Sequence, residues 1–196
     1  MWRDELIKIV AAFKHPAWGF SHFERVNNLT LDLAKSQQMK IDEDAIFAAA
    51  YLHDIGAFHP YKQKGRDHSE VAMEQCDDIL QRIGFPSDKI FKVKDIIRTH
   101  MFNINPSENV ESILFHDADT LDFMGTIGIT RLLAIVGKED WTPDLKSAIK
   151  LIQKFYEDLP SKIITTEAKK ICEKRKSEME YFLKDLSQQT DNFNLL

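Results

Sequence analysis

An adjacent histidine and aspartate, His53-Asp54, sit in Tyr51-Leu52-His53-Asp54-Ile55-Gly56, where an alanine-rich run ends and a loop marked by glycine and proline begins. Imidazole and carboxylate are both ligands for divalent ions, and neither belongs in an apolar core without a partner. An adjacent pair alone is a weak metal signal, so its weight depends on what the rest of the chain can bring to it. Of the seven histidines, His22, His53, His68 and His100 fall near expected helix boundaries. Ligands at the ends of different helices can converge on one point without interrupting the apolar stripes, which is how helical bundles build metal sites. A second anomaly is the acidic run His116-Asp117-Ala118-Asp119-Thr120-Leu121-Asp122, set among Ile113, Leu114, Phe115, Phe123 and Met124.

Simpler roles compete for each of these residues. A histidine at a helix C-terminus is a favourable partner for the last carbonyls, which alone would explain His100. His68, after Asp67, could be a solvated neighbour of a cap. His15 and His116 read as structural or surface residues, and His59 as a loop residue without a specific role. A solvated helix face would account for two of the three aspartates.

The elements that must position these groups all read at helical period. Leu6, Ile9, Val10 and Phe13 mark a first helix that stops near His15-Pro16. Ser21-x-x-Glu24 reads as a capping box opening a second. Asp42 or Glu43 starts a third, which runs to His53-Asp54. Gly56, Pro60 and Gly65 mark a loop of about a dozen residues, long enough to suggest binding. Asp67-x-x-Glu70 opens a helix that ends at Gly84, and Ser87 caps one that leads to His100. Val110–Met124 reads as a helix ended by Gly125, Ile127–Val136 as a shorter one, and Pro143–Leu159 as one started by its proline. A charged helix from about Thr166 to Leu186 closes the chain. Phe47, Phe91, Phe115 and Phe155 fit the packing stripes. No stretch alternates at period two and no repeat or linker divides the chain. The expected fold is all-α, a single multi-helix bundle with a core over about residues 20–135 and accessory helices over about 143–188.

Composition bounds the function. With 196 residues, 43% of them hydrophobic and 29% charged, the chain suits one soluble domain. A net charge of −5 argues against a duplex nucleic-acid partner. Cys76 and Cys172 form neither a metal-spaced pair nor a disulfide framework. Neither a signal peptide nor a membrane span is read from the sequence, so a cytoplasmic protein is expected.

His22, His53-Asp54 and Asp119, in that order, resemble the H…HD…D signature of the HD superfamily of metal-dependent phosphohydrolases. Leu52-His53-Asp54-Ile55-Gly56 is close to the family's usual form at the doublet, and Ala118-Asp119-Thr120-Leu121-Asp122 is similar to its last motif. There the aspartate after the alanine is the usual ligand, which favours Asp119 over Asp117. The resemblance runs from about Ser21 to Leu133. It implies an all-helical scaffold and a first ion held by His22, His53, Asp54 and Asp119. Branches with two ions use extra histidines between the doublet and the last aspartate, and His68 and His100 lie at suitable places. Two branches fit poorly. Phe58-His59-Pro60 replaces the acidic pair of the stringent-response hydrolases, and the Gly-Tyr-Pro of the cyclic-dinucleotide phosphodiesterases is missing.

The implied chemistry is hydrolysis of a phosphate ester or phosphoanhydride, in which a divalent ion activates water and polarises the phosphoryl group. Mixed His/Asp ligation suits manganese, iron, cobalt or nickel, as one or two ions, better than magnesium. The second carboxylate oxygen of Asp54 could orient the water. Lys62, Lys64 and Arg66 follow the doublet and are candidate phosphate contacts, Arg66 first and then Lys62, since guanidinium grips phosphate through two bonds. Arg25 shares the His22 helix face, and Arg131 is a weaker candidate that could simply reach solvent. Trp18, Phe20, Phe58 and Tyr61 lie near the expected mouth and could stack on a base. The favoured substrate is a small phosphorylated metabolite, a nucleotide above all. A non-catalytic nucleotide sensor and a di-iron oxygenase on the same scaffold are the alternatives, and the C-terminal helices leave room for a homodimer.

Overall fold

The computed structural model describes all 196 residues. It contains nine α-helices and no strand: α1 Trp2–Val10, α2 Phe20–Ser36, α3 Glu43–Leu52, α4 His68–Arg82, α5 Ile90–Thr99, α6 Val110–Asp122, α7 Gly125–Leu133, α8 Leu145–Asp158 and α9 Thr166–Gln189. The all-α expectation holds. No helix is long and apolar enough to cross a membrane.

Helix α3 is the central rod. Its Asp42 cap accepts the backbone N–H of Asp44 and Ala45, and every residue from Ala45 to Leu52 except Phe47 is buried. Four alanines on so short a helix let neighbours approach closely on several sides, and α1, α2 and α5 all pack against it. Helix α6 lies on α2, and α4 lies on α5. One apolar core joins residues from Leu6 in α1 to Met179 in α9, including Ile149 and Ile152 of α8. The C-terminal helices therefore share the main core.

Several local expectations fail where a tertiary contact takes over from the sequence signal. Helix α2 starts one residue before Ser21, with Gly19 at the cap position and no side-chain cap bond. Ser87 lies in a short 3₁₀ turn behind Pro86 and caps nothing. Gly125 opens α7 rather than merely closing α6, at φ +70°, a left-handed conformation that favours glycine and turns the chain between the two helices. Pro143 stays outside α8, whose cap is Asp144, bonded to the Ser147 N–H. Phe91 is exposed rather than packed.

The largest local departure is in α6, where Asp117, Asp119 and Asp122 are all buried and none lies on a solvated face. Asp117 accepts the N–H groups of Ile164 and Thr165, both at 2.8 Å, and the Thr165 hydroxyl at 2.7 Å. Thr165 is the cap residue of α9, so this carboxylate anchors the start of the last helix to the core. Asp117→Ala strands two backbone donors, and a stability loss of about 3 kcal/mol is expected. Thermal unfolding reads this as a Tm drop of roughly 6–12 °C, and an unchanged Tm would remove the anchoring role.

Candidate metal centre

Six groups named from the sequence come from five helices and meet at one place. His22 lies in the first turn of α2, His53 and Asp54 follow the end of α3, His68 opens α4, His100 ends α5, and Asp119 lies in α6. All but the partly exposed His68 are buried. His22 Nε2 lies 3.1 Å from His53 Nε2 and 3.2 Å from Asp119 Oδ1. Asp54 faces two ways. Its Oδ2 is 3.4 Å from His53 Nε2 and 3.6 Å from His22 Nε2, while its Oδ1 is 3.1 Å from His68 Nε2 and 3.7 Å from His100 Nε2.

The rings are held from behind. His53 Nδ1 donates to the Ala50 carbonyl at 2.9 Å, and His100 Nδ1 donates to the Ile97 carbonyl at 2.7 Å. A carbonyl only accepts, so Nδ1 carries a hydrogen in each ring and Nε2 is the nitrogen turned towards the centre. His22 Nδ1 is held by Asp122 Oδ2 at 2.7 Å. Gly56 sets the position of His68. A Cβ at residue 56 would fall 2.1 Å from the His68 carbonyl oxygen, so any side chain there would push the start of α4 away from Asp54.

This donor set fits a divalent ion. Imidazole lone pairs as close as those of His22 and His53 repel unless a cation or proton lies between them. His100 Nε2 and Asp119 Oδ1 are buried without a well-aligned hydrogen bond, although Asp119 Oδ1 lies 3.2 Å from His22 Nε2 and His100 Nε2 3.7 Å from Asp54 Oδ1, an expensive condition unless something else satisfies them. The ligand atoms of His22, His53 and Asp119 lie within 4.8 Å of one another, as do those of His53, Asp54 and His100.

Electrostatics favours the ligand-ready form of the carboxylates. Burial opposes the charge on Asp54, but His53, His100 and His68 outweigh it and hold its carboxyl well below the ordinary range. Asp119 is likewise penalised by burial and lowered by His22. Burial lowers His68 as well, yet Asp54 lifts it to about 9. With only Asp54 as its partner, His68 carries a proton at neutral pH that an ion has to displace.

Asp122, a residue that motif reasoning did not single out, organises the support. It accepts His22 Nδ1, two bonds from Arg25 at 2.8 and 2.9 Å, and Arg131 Nη1 at 2.7 Å. Burial works against its charge, and His22, Arg25 and Arg131 overcome it to keep the carboxyl far below the ordinary range. A spacing of three residues after Asp119, with an arginine in the next apolar helix, was the only signal available. Asp122→Asn keeps the shape and weakens the hold on His22, so metal affinity is expected to fall 10- to 100-fold. Competitive chelator titration measures this, and an unchanged affinity would count against the role. Two expected cations are thereby reassigned. Arg25 is committed to Asp122 and does not line the cavity. Arg131 is fully buried and does not reach solvent.

A cavity of about 590 Å³ opens beside the centre, with Asp54, His68, His100 and Asp119 in its lining, a volume within the usual range for small-molecule sites. Lys62 and Arg66 line it as expected, together with Lys14, while Lys64 does not. The Arg66 guanidinium is held by Glu74 at 2.6 and 2.8 Å. Of the expected aromatics, Trp18 and Phe58 reach the cavity. Phe20 packs on Tyr51, and Tyr61 on Phe13. Trp141, Phe102, Phe123 and Phe155 also line it, although the sequence pattern assigned Phe155 to packing alone.

The HD domain family model matches residues 19–124. No curated protein matches the chain. Among solved structures, a predicted HD superfamily hydrolase from an uncultured Thermotogales bacterium is 23% identical, with 96% of this chain and 90% of that chain covered and a TM-score of 0.65. Bacillus subtilis YpgQ, solved in complex with ADP, is 20% identical over 95% of this chain and 97% of its own, with a TM-score of 0.70. An HD-superfamily hydrolase from Bacillus thuringiensis is 23% identical over 97% and 99%, with a TM-score of 0.62. The match covers the helix ends that carry His22, His53-Asp54, His68, His100 and Asp119, and the chain belongs to the HD domain family, with the fold of the HD superfamily hydrolases.

Proposed function

We propose that this protein is a metal-dependent phosphohydrolase that cleaves a phosphate ester or anhydride bond in a small phosphorylated metabolite, a nucleotide by preference. The carrying observation is the two-sided placement of Asp54, with one oxygen towards His22 and His53 and the other towards His68 and His100. His22, His53, Asp54 and Asp119 would hold the first ion. His68 and His100, with the other oxygen of Asp54, would hold a second or contact phosphate directly. Manganese, iron, cobalt or nickel suits these ligands. Such an ion lowers the pKa of water and polarises the phosphoryl group.

The chain's own residues supply the rest. Lys62 and Arg66 would offset phosphate charge at the mouth, and Asp54 would orient water for attack. The aromatic lining would keep bulk water from the reacting bond. The nucleotide preference is supported by these aromatics beside the cations and by the ADP held in B. subtilis YpgQ. The direct test is phosphate or pyrophosphate release from a nucleotide panel with each of the four ions supplied. Ion-dependent release that a chelator abolishes supports the reading. A metal-loaded protein that releases nothing from any nucleotide overturns it.

A further inference from the structure

One wall of the cavity is built from two segments outside the family match, Lys14–Trp18 before it and Glu139–Trp141 after it. Within it the rings form a continuous stack. His15 lies on Trp18 with centroids 4.0 Å apart at 22°, and Trp18 faces Trp141 at 6.0 Å and 18°. The stack is pinned by polar bonds. His15 Nδ1 accepts the N–H groups of Ala17 and Trp18 at 3.2 and 3.3 Å. Its Nε2 therefore carries the hydrogen and meets Glu139 Oε1 at 3.3 Å. This bond ties the segment before α2 to the segment after α7. Trp141 remains 50% exposed although it lines the cavity.

We propose that this wall is a nucleobase subsite, with Trp141 as the stacking surface and Glu139 as the reader of the base edge, favouring guanine over uracil. The inference rests on the nucleotide reading above and names the base. A flat aromatic takes any base, because every base presents a π-face. Discrimination then falls to Glu139, whose carboxylate only accepts hydrogen bonds. Guanine presents two neighbouring N–H donors that match a carboxylate. The imide N–H of uracil lies between two carbonyl oxygens, which repel one. Adenine and cytosine, with an amino group on that edge, fall between.

Calorimetric titration of the metal-loaded protein with guanosine and with uridine tests this. Neither nucleoside has a phosphate bond to break, so the heat reports binding alone. Guanosine is expected to bind at least about tenfold more tightly than uridine. Trp141→Ala should weaken guanosine by about tenfold, within the stacking range, and Trp141→Phe should keep most of the affinity. Glu139→Gln should collapse the preference while leaving both nucleosides bound. Trp141 is half exposed, and an unchanged Tm in both Trp141 variants will separate lost stacking from lost fold. Equal affinity for the two nucleosides, no binding of either, or guanosine affinity unchanged in Trp141→Ala overturns the proposal. Phosphate release without base preference would remove this inference alone. Guanosine binding without any hydrolysis would remove the proposed activity and leave the subsite standing.

Discussion

Replacing Asp54 with alanine is expected to lower kcat/KM for nucleotide hydrolysis by at least about a thousandfold and to reduce the bound metal. Asp54 faces both groups of candidate ligands, His22 with His53 through one oxygen and His68 with His100 through the other. Loss of ion-derived charge stabilisation is worth several kcal/mol in a transition state. At 1.36 kcal/mol for each factor of ten, that amounts to about three orders of magnitude. Stability of the metal-free protein should also fall, because the interactions of Asp54 with His53, His100 and His68 outweigh its desolvation and its loss leaves His68 without its partner. Metal content by elemental analysis, phosphate release and thermal melting on one preparation check all three. A variant within tenfold of the parent in kcat/KM, still carrying full metal, would sink the role assigned to Asp54.

Arg131→Met is expected to be the most destabilising single change. The guanidinium is completely enclosed. It donates to the Ala17 carbonyl at 2.6 Å and to both the carbonyl and carboxylate of Asp122, at 2.9 and 2.7 Å, and lies 4.1 Å over the Phe123 ring. Methionine fills much of the volume but strands the Ala17 oxygen and strips one counter-charge from a buried aspartate. Breaking a buried pair in this way costs about 3–5 kcal/mol, roughly 6–20 °C in Tm for a chain of this length. Arg25→Met touches the same carboxylate from a side chain one-third exposed and should cost only about 1 kcal/mol. Denaturant melts of the two variants decide the matter. A loss for Arg131→Met no larger than that for Arg25→Met would show that Asp122 does not depend on the buried partner. Arg131 also joins the loop that carries Trp18 to the support of His22, so its loss should loosen both ends of the cavity.

The legible part of this protein was local or ordered along the chain. Helical period, the Asp42 and Asp67 caps and the His53-Asp54 doublet each depend on a few neighbouring residues. The helices and the two caps held because the physics that makes them is equally short in range. The ligand order could be read because each ligand sits at a helix end or on one helix face, and the helix ends were themselves visible. Where a sequence signal had two outlets, the tertiary structure chose. Ser21 and Pro143 carried good capping chemistry, yet the helices start elsewhere.

Apart from the candidate ligand set, partners distant in sequence escaped the reading. The resemblance singled out Asp119 among the three aspartates of α6 but assigned no partner to Asp117 or Asp122, and each meets a different one. Asp119 turns to His22, Asp117 takes N–H groups 47 and 48 positions away, and Asp122 holds a histidine 100 positions away. The Ala17 carbonyl that engages Arg131 lies 114 positions before it. No sequence signal marked Trp141, which folding lays against Trp18. The sequence by itself determined the helices and the types and order of the candidate ligands. Which buried charge meets which partner, and which aromatic faces the cavity, was decided only by helices packing on one core, because desolvation and ion pairing depend on distance in space and not along the chain.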